Sequence, residues 1–409
     1  MTITLRLAWR NLWRHSRRSW LTVGAMVFSN ILLVFLISLQ FGMYELMIEN
    51  TLRAFTGHLQ IQAVGYKDDQ KMRQVVPDAG ELAQRLRQEL GTEHISARGI
   101  AFVLVSSEDR TYGIQLVGAD PAFEPGVSSL PGLIRDGRYL NNNTAAEIVI
   151  GSVLARNLRV GLGDELTVLG SGRDGSFAAT VANIVGIFDS GVPEFDRNIA
   201  EVPLDFFQDA FYMQGAAHEI VLVADSLAQL PEFKAKVTGY MPTDPTLALY
   251  DWDELQPGLK QAIQADISSA FFMYAILVIL VAFSVLNTQL MSVLERTREF
   301  GIIMALGVTP GRLGRLVLLE TVLMGAIGMF AGAFLGVLVT LWFSTHGFSY
   351  PGMEEMAATF NLPARFYPQA TWLSTFGGPL VVFVFSIAAA LYPALRMHWL
   401  QPVAAMRAA

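Results

Sequence analysis

The residues able to do chemistry are few and scattered. Six histidines (His15, His58, His94, His218, His346 and His398) show neither an H-E-x-x-H motif nor any paired spacing. With no cysteine in the 409 residues, disulfides, thiolate nucleophiles and Cys-ligated metals are excluded. No G-x-S-x-G elbow and no G-x-x-x-x-G-K-[ST] phosphate loop occurs, so the chain is not expected to be an ATPase or any other enzyme. Gly170-Ser-Gly172-Arg-Asp-Gly175 satisfies G-x-G-x-x-G literally, but a dinucleotide site needs a helix after it to receive the pyrophosphate. Ser176 to Phe188 has strand character instead, so a hairpin turn is expected. Asp189, Glu194, Asp196 and Arg197 could supply a carboxylate pair for acid–base work. A solvated turn between two strands is the stronger expectation. Catalytic, cofactor and metal residues are therefore all expected to be absent.

The composition points elsewhere. The chain is 52% hydrophobic and only 16% charged, against about a quarter charged in ordinary soluble domains. Four blocks carry the excess: Ser19–Tyr44, Ile267–Leu294, Thr321 to about Phe343, and Trp372–Leu395. Each exceeds the ~20 apolar residues that a helix needs to cross ~30 Å of hydrocarbon. The first is too long for a cleaved signal core and lacks a small-x-small site, so it is read as a retained helix.

Arginine placement orients them. Arg6, Arg10, Arg14, Arg17 and Arg18 precede the first block; Arg296, Arg298, Arg312 and Arg315 lie between the second and third; Arg396 and Arg407 follow the fourth. These segments hold eleven of 29 basic residues but only two of 36 acidic ones, a net +9 that leaves −16 elsewhere in a chain of net −7. The positive-inside rule places both termini and the middle loop in the cytoplasm. The resulting order is a cytoplasmic N-terminus (1–18), helix one (19–44), an outer domain (45–266), helix two (267–294), a cytoplasmic loop (295–316), helix three (317–344), a short outer loop (345–371), helix four (372–395) and a cytoplasmic tail (396–409). Leu5, Ala8, Trp9, Leu12 and Trp13 recur at helical spacing among arginines, as in a basic amphipathic helix on the inner membrane surface. The acidic balance argues against nucleic acid as a partner.

In the outer domain, strand-like runs (58–64, 100–105, 111–117, 147–150, 165–169, 177–188, 219–223 and 247–250) alternate with helical ones (78–90, 152–158, 204–212 and a segment from Trp252 expected to run into helix two), which reads as α+β. In helix three, Gly328, Gly332 and Gly336 repeat every four residues, a spacing that permits close helix packing within the fold or against a second copy.

The cytoplasmic loop is the most informative stretch. Glu295, Arg296, Thr297, Arg298, Glu299, Phe300 and Gly301 lead into Ile-Ile-Met-Ala-Leu-Gly307, an amphipathic helix with a glycine stop, suited to docking in a partner's groove. This run resembles the signature after the second membrane helix of the FtsX/MacB/LolC–LolE permease family, of the mechanotransmission class of ABC transporters. Leu7–Arg18, Ile150–Asp164, Leu391–Arg396 and Gln401–Arg407 resemble other family stretches. The resemblance implies a polytopic α-helical membrane protein with four transmembrane helices and a large α+β periplasmic domain inserted between helices one and two. It further implies a bacterial inner-membrane permease subunit whose Glu295–Gly301 helix contacts a separate ABC ATPase dimer. ATP and Mg would then sit on that partner, with no cofactor on this chain.

Thr56–Gln62 and Gly186–Asp196 are more similar to the lipoprotein-releasing LolC/LolE-like branch. That branch implies extraction of a lipoprotein or other amphipathic substrate from membrane lipid, beside a second identical or homologous permease, with a periplasmic carrier. The alternatives are a MacB-like efflux permease with an adaptor and outer-membrane duct, and FtsX-like signalling to a periplasmic enzyme. Replacing Glu295 and Glu299 with Lys is expected to abolish co-purification of the ATPase; unchanged recovery would remove the docking role of this helix.

Overall fold

In the computed structural model, residues 3–14, 16–242, 244–349, 351–352 and 365–399 are described. His15, residues 350 and 353–364 of the 345–371 loop, and the Gln401–Arg407 stretch lie outside the described residues. The chain separates into two compact units, one containing Glu45–Gln261 and the other the bulk of the long apolar helices.

The helical unit begins with α1 (Ile3–Arg14) and α2 (Ser16–Thr51). It continues with α9 (Pro257–Glu295), α10 (Thr297–Ala305) and α11 (Pro310–His346), then a π-helical turn over Leu373–Gly377 that leads into α12 (Gly378–Arg396). Four segments are long and apolar enough to cross a membrane: Ser19–Thr56, Pro257–Glu295, Pro310–His346 and Leu373–Trp399. Helix α9 starts ten residues before its uncharged block, because Pro257 is well placed in a first turn and no breaker separates it from Ile267.

The glycine stripe of α11 packs against α2. A Cβ on Gly328 would stand 2.7 Å from the Met26 Cβ, on Gly332 2.5 Å from the Asn30 Cβ, and on Gly336 2.8 Å from the Val34 Cβ. The close approach lets the Asn30 amide donate to the Gly328 carbonyl at 3.1 Å, a bond that satisfies a buried polar group where no water is available. In α1, Ala8 and Leu12 are buried, whereas Trp9 and Trp13 stay exposed and stack edge-on in series with Trp20.

The other unit holds β1 (Leu59–Ala63), α3 (Ala79–Leu90), β2 (Ile95–Ser106), β3 (Thr111–Ala119), β4 (Ile134–Gly137) and β5 (Glu147–Gly151). There follow α4 (Ser152–Leu158), β6 (Glu165–Ser171), β7 (Phe177–Phe188), α5 (Phe195–Asn198), β8 (Ile199–Pro203), α6 (Leu204–Ala210), β9 (Glu219–Leu222), α7 (Leu230–Tyr240), β10 (Leu247–Asp251) and α8 (Trp252–Leu255). The strand order is β10-β1-β9-β2-β3-β8-β5-β7-β4, and β6 bridges β2 and β7. The strands β2, β3, β8, β5, β7 and β6 thus form a closed hydrogen-bonded circuit, with β3–β8 and β5–β7 parallel. Its interior is filled by Val103, Ile114, Leu116, Ile150, Val168 and Ile184, among others. Strand β2 is shared: Ile95–Arg98 also pairs with β9, where α3 and α7 contribute Leu82, Leu86, Leu230 and Val237 to a second core.

Strands β4 and β8 and helices α5 and α7 escape the sequence reading. β4 is four residues long with mostly exposed side chains, and β8 is buried at every position and so shows no alternation. Gly170–Gly175 forms the β6–β7 hairpin, with Gly172 N donating to Ser176 O at 2.9 Å.

A buried charge cluster joins the two cores. Arg98, fully buried on β2, donates to Glu124 and to the Phe55 carbonyl, and Glu219 lies 3.7 Å from its Nη1. Glu201 accepts from the Tyr139 hydroxyl at 2.8 Å. One guanidinium cannot neutralise three buried carboxylates. Burial, with Glu124 nearby, pushes Glu201 up to about 8; burial, only partly opposed by Arg98, pushes Glu219 up to about 7. The Oε1 atom of each lacks a hydrogen-bond donor, so the ionised forms are poorly solvated.

Two outcomes follow from this packing. Gly332→Ala should cost about 1–3 kcal/mol through overpacking, read as a lower thermal midpoint in detergent; an unchanged midpoint refutes the contact. The raised pKa values of Glu201 and Glu219 contribute stability that is complete below the unfolded carboxylate value and is lost as pH rises through about 7 and 8. The midpoint of the full chain should therefore fall by roughly 5 °C between pH 6 and pH 9, and Glu201→Gln should flatten that dependence.

Candidate functional site

The cytoplasmic turn is assembled from α9, α10 and α11. Glu295 closes α9, Arg296 occupies the bend, and α10 begins only at Thr297. This corrects the expectation of one continuous helix from Glu295 to Gly301. Gly307 ends the turn with φ +95°, and Thr309 and Pro310 start α11.

Helical period divides the seven predicted contact residues. Phe300 and Gly301 turn inward with Met304, where Phe300 and Met304 join Val293, Leu313, Val317 and Met397. Arg296 is buried as well. Thr297 is half-buried and its hydroxyl donates back to the Val293 carbonyl at 3.0 Å. Glu295, Arg298 and Glu299 are exposed, and Ile302 and Leu306 extend their stripe, Leu306 being 81% exposed. The open face is thus mixed, with charges at one end and two aliphatic side chains at the other.

A second feature lies in the same unit. An apolar cavity of about 630 Å³ is lined by Leu33, Ile37 and Phe41 of α2, Phe271, Val278 and Ile279 of α9, and Leu373, Val381 and Phe385 of the fourth segment. That volume is in the range of small-molecule and lipid-chain sites. Its polar lining comes from Gln40, Tyr44 and Tyr274. The Tyr44 hydroxyl donates to Asp266 Oδ2 at 2.5 Å, Gln40 Nε2 donates to the same oxygen at 3.2 Å, and the Tyr274 hydroxyl donates to Gln40 Oε1 at 2.9 Å. The wall near Leu373 is shaped by the π-helical turn, where the Ser38 hydroxyl donates to Ser374 Oγ at 2.9 Å.

None of these polar residues figured in the sequence reading. The available signal was position: Tyr44 ends the first uncharged block, and Asp266 immediately precedes the second.

The candidate chemical groups of the sheet unit have structural roles. His58 and His218 are fully buried and accept backbone bonds at Nδ1, from Ala224 N at 3.0 Å and Ile100 N at 2.8 Å. Burial drives the His218 imidazole down to about 4, so it stays neutral. Asp196 is not a solvated turn residue: it is 2% exposed, accepts from Ser190 N and Oγ at 3.0 and 2.6 Å, and pins the β7–β8 connection. Asp189 pairs instead with Arg135 at 2.8 Å. Asp251, Asp253 and Glu254 converge, but Lys234 and Lys260 already pair with them.

Residues 19–240 match the MacB-like periplasmic core domain family and residues 271–402 the FtsX-like permease C-terminal family. The chain is 26% identical over 283 residues to the lipoprotein-releasing system transmembrane protein LolC of Xylella fastidiosa strain 9a5c, spanning 64% of each chain. It is 24% identical over 332 residues to the corresponding LolE of Haemophilus influenzae, spanning 78% of this chain and 79% of that one. Among solved structures, the periplasmic region of MacB from Actinobacillus actinomycetemcomitans overlaps 53% of this chain and 96% of its own, with a TM-score of 0.35 and 14% identity. The α+β unit, the four apolar helices, the two family matches and the LolC and LolE relatives lead to one assignment: the chain belongs to the FtsX/MacB/LolC–LolE family of ABC transporter permeases, whose members work with an ABC ATPase partner.

Proposed function

We propose that this permease serves an ATP-driven complex that extracts a lipoprotein, or another lipid-anchored amphipathic substrate, from the outer leaflet of a bacterial inner membrane. The cavity carries this reading. Its walls are aliphatic and aromatic, as an acyl chain requires, and Gln40, Tyr44 and Tyr274 can meet a polar linkage between chain and headgroup. The names of the LolC and LolE relatives point the same way.

In this arrangement both termini and α10 face the cytoplasm, and residues 45–266 face the periplasm, in keeping with the arginine distribution. A separate ATPase dimer, holding ATP and Mg, seats on Glu295, Arg298, Glu299, Ile302 and Leu306. Its closure moves the membrane helices and the periplasmic domain as connected levers. The broad exposed apolar surface of α9, including Phe271, Phe272, Ile276, Leu280 and Phe283, is available to lipid and to a second permease copy. The MacB-like match over residues 19–240 favours efflux through an adaptor and duct as the second reading.

The deciding experiment places the permease and its ATPase in nanodiscs loaded with lipoprotein. ATP should release lipoprotein to a periplasmic carrier, and Val278→Trp, which fills the cavity, should cut release about tenfold while ATPase binding persists. No release, together with stimulation of ATP hydrolysis by an adaptor, would replace this reading with the efflux one.

A further inference from the structure

Glu320 immediately precedes the third uncharged block, within α11, and is buried at 5% exposure. Arg296 answers it from the α9–α10 bend, donating through Nη1 to Glu320 Oε1 at 3.1 Å and Oε2 at 3.3 Å. The same guanidinium lies 4.9 Å from the centre of the Phe300 ring, on the inward face of α10, and its Nε is 3.5 Å from Glu299 Oε2. Glu320 Oε1 also accepts from the Asn11 amide of α1 at 2.7 Å. One carboxylate therefore holds three elements that are distant in sequence: α1, the root of α10, and α11. Arg14 of α1 approaches Glu299 from the other side at 3.9 Å.

A buried ion pair is a weak source of stability, because desolvating both charges offsets most of their attraction. Apolar residues of similar size would fill the space at least as well. What such a pair does well is enforce a register, since any other arrangement leaves a charge buried without its partner. Arg296 differs in this from Arg298 and Glu299, which face outward one turn away.

We propose that Arg296 is a positioning residue rather than an ATPase contact: through Glu320 and Asn11 it locks α10 to α11 and α1, so that a displacement of α10 is passed to both helices together. The inference rests on the reading of α10 as the ATPase seat, but the lock itself can be measured without the ATPase.

Because the chain has no cysteine, Arg10→Cys on α1 and Ile302→Cys on α10 give two specific spin-label sites in the nanodisc-embedded protein. The intact lock should yield one narrow distance distribution. Arg296→Met and Glu320→Gln should each broaden it at least about twofold, with Arg296→Lys in between because it keeps the charge but loses the fork. With the ATPase that co-purifies with the unsubstituted chain, Arg296→Met should retain binding within about twofold yet lower lipoprotein released per ATP about tenfold. Glu299→Lys should lose binding outright.

Loss of ATPase binding in Arg296→Met to the extent seen in Glu299→Lys would make Arg296 a contact and overturn the proposal. Unchanged distance widths and unchanged release per ATP would overturn it too. Should Arg296→Met and Glu320→Gln fail to insert, Asn11→Ala removes one arm of the lock at a half-buried position, and the same labels decide. If no ATPase accompanies the unsubstituted chain, the transporter reading fails while the label distances still judge the lock.

Discussion

Hydrocarbon solvates neither charges nor unpaired peptide groups, and the helical unit is organised around that constraint. Backbone groups are satisfied inside long helices, side chains are apolar over whole spans, and several of the buried polar side chains are held by a partner. Asn30 bonds Gly328 O, Ser38 bonds Ser374, and Glu320 is held by Arg296 and Asn11. With little hydrophobic driving force between helices in lipid, close contact depends on small residues, which gives Gly328, Gly332 and Gly336 their place against α2.

The two polar clusters of the helical unit differ in a way that matters for their roles. The Arg296–Glu320–Asn11 set is buried and pairs opposite charges, so it resists rearrangement. The Gln40–Tyr44–Tyr274–Asp266 set is more open and gathers one carboxyl group among neutral donors, so its partners can be exchanged at lower cost. The first set is thus a rigid joint at the root of α10, and the second an adaptable polar rim beside the cavity.

The sheet unit meets a different constraint. Its interior is apolar and closed, and its junction between two cores holds one arginine among three carboxylates. That arrangement keeps protons on carboxyl groups at neutral pH and ties the unit's stability to them. His58, His218 and Asp196, which from residue type alone are candidates for chemistry, serve instead to cap backbone and hold loops.

Much of this was legible along the chain. Hydropathy over some twenty residues and the signature around α10 are local quantities, and they mark the four apolar helices and the family. Strands with alternating or bounded patterns, such as Phe177–Phe188, were legible for the same reason. Strand β8, apolar or inward at every position, carries no period to read. Closure of the sheet needs β6 to meet β2, Glu320 needs Arg296 24 residues away and Asn11 309 residues away, and Tyr44 needs Asp266 across 222 residues. Such pairings are settled by three-dimensional packing and by the energy of leaving a polar group unpartnered, and no short window of residues contains either. Which of Glu295 to Gly301 face outward is decided the same way, by what α11 and Met397 cover.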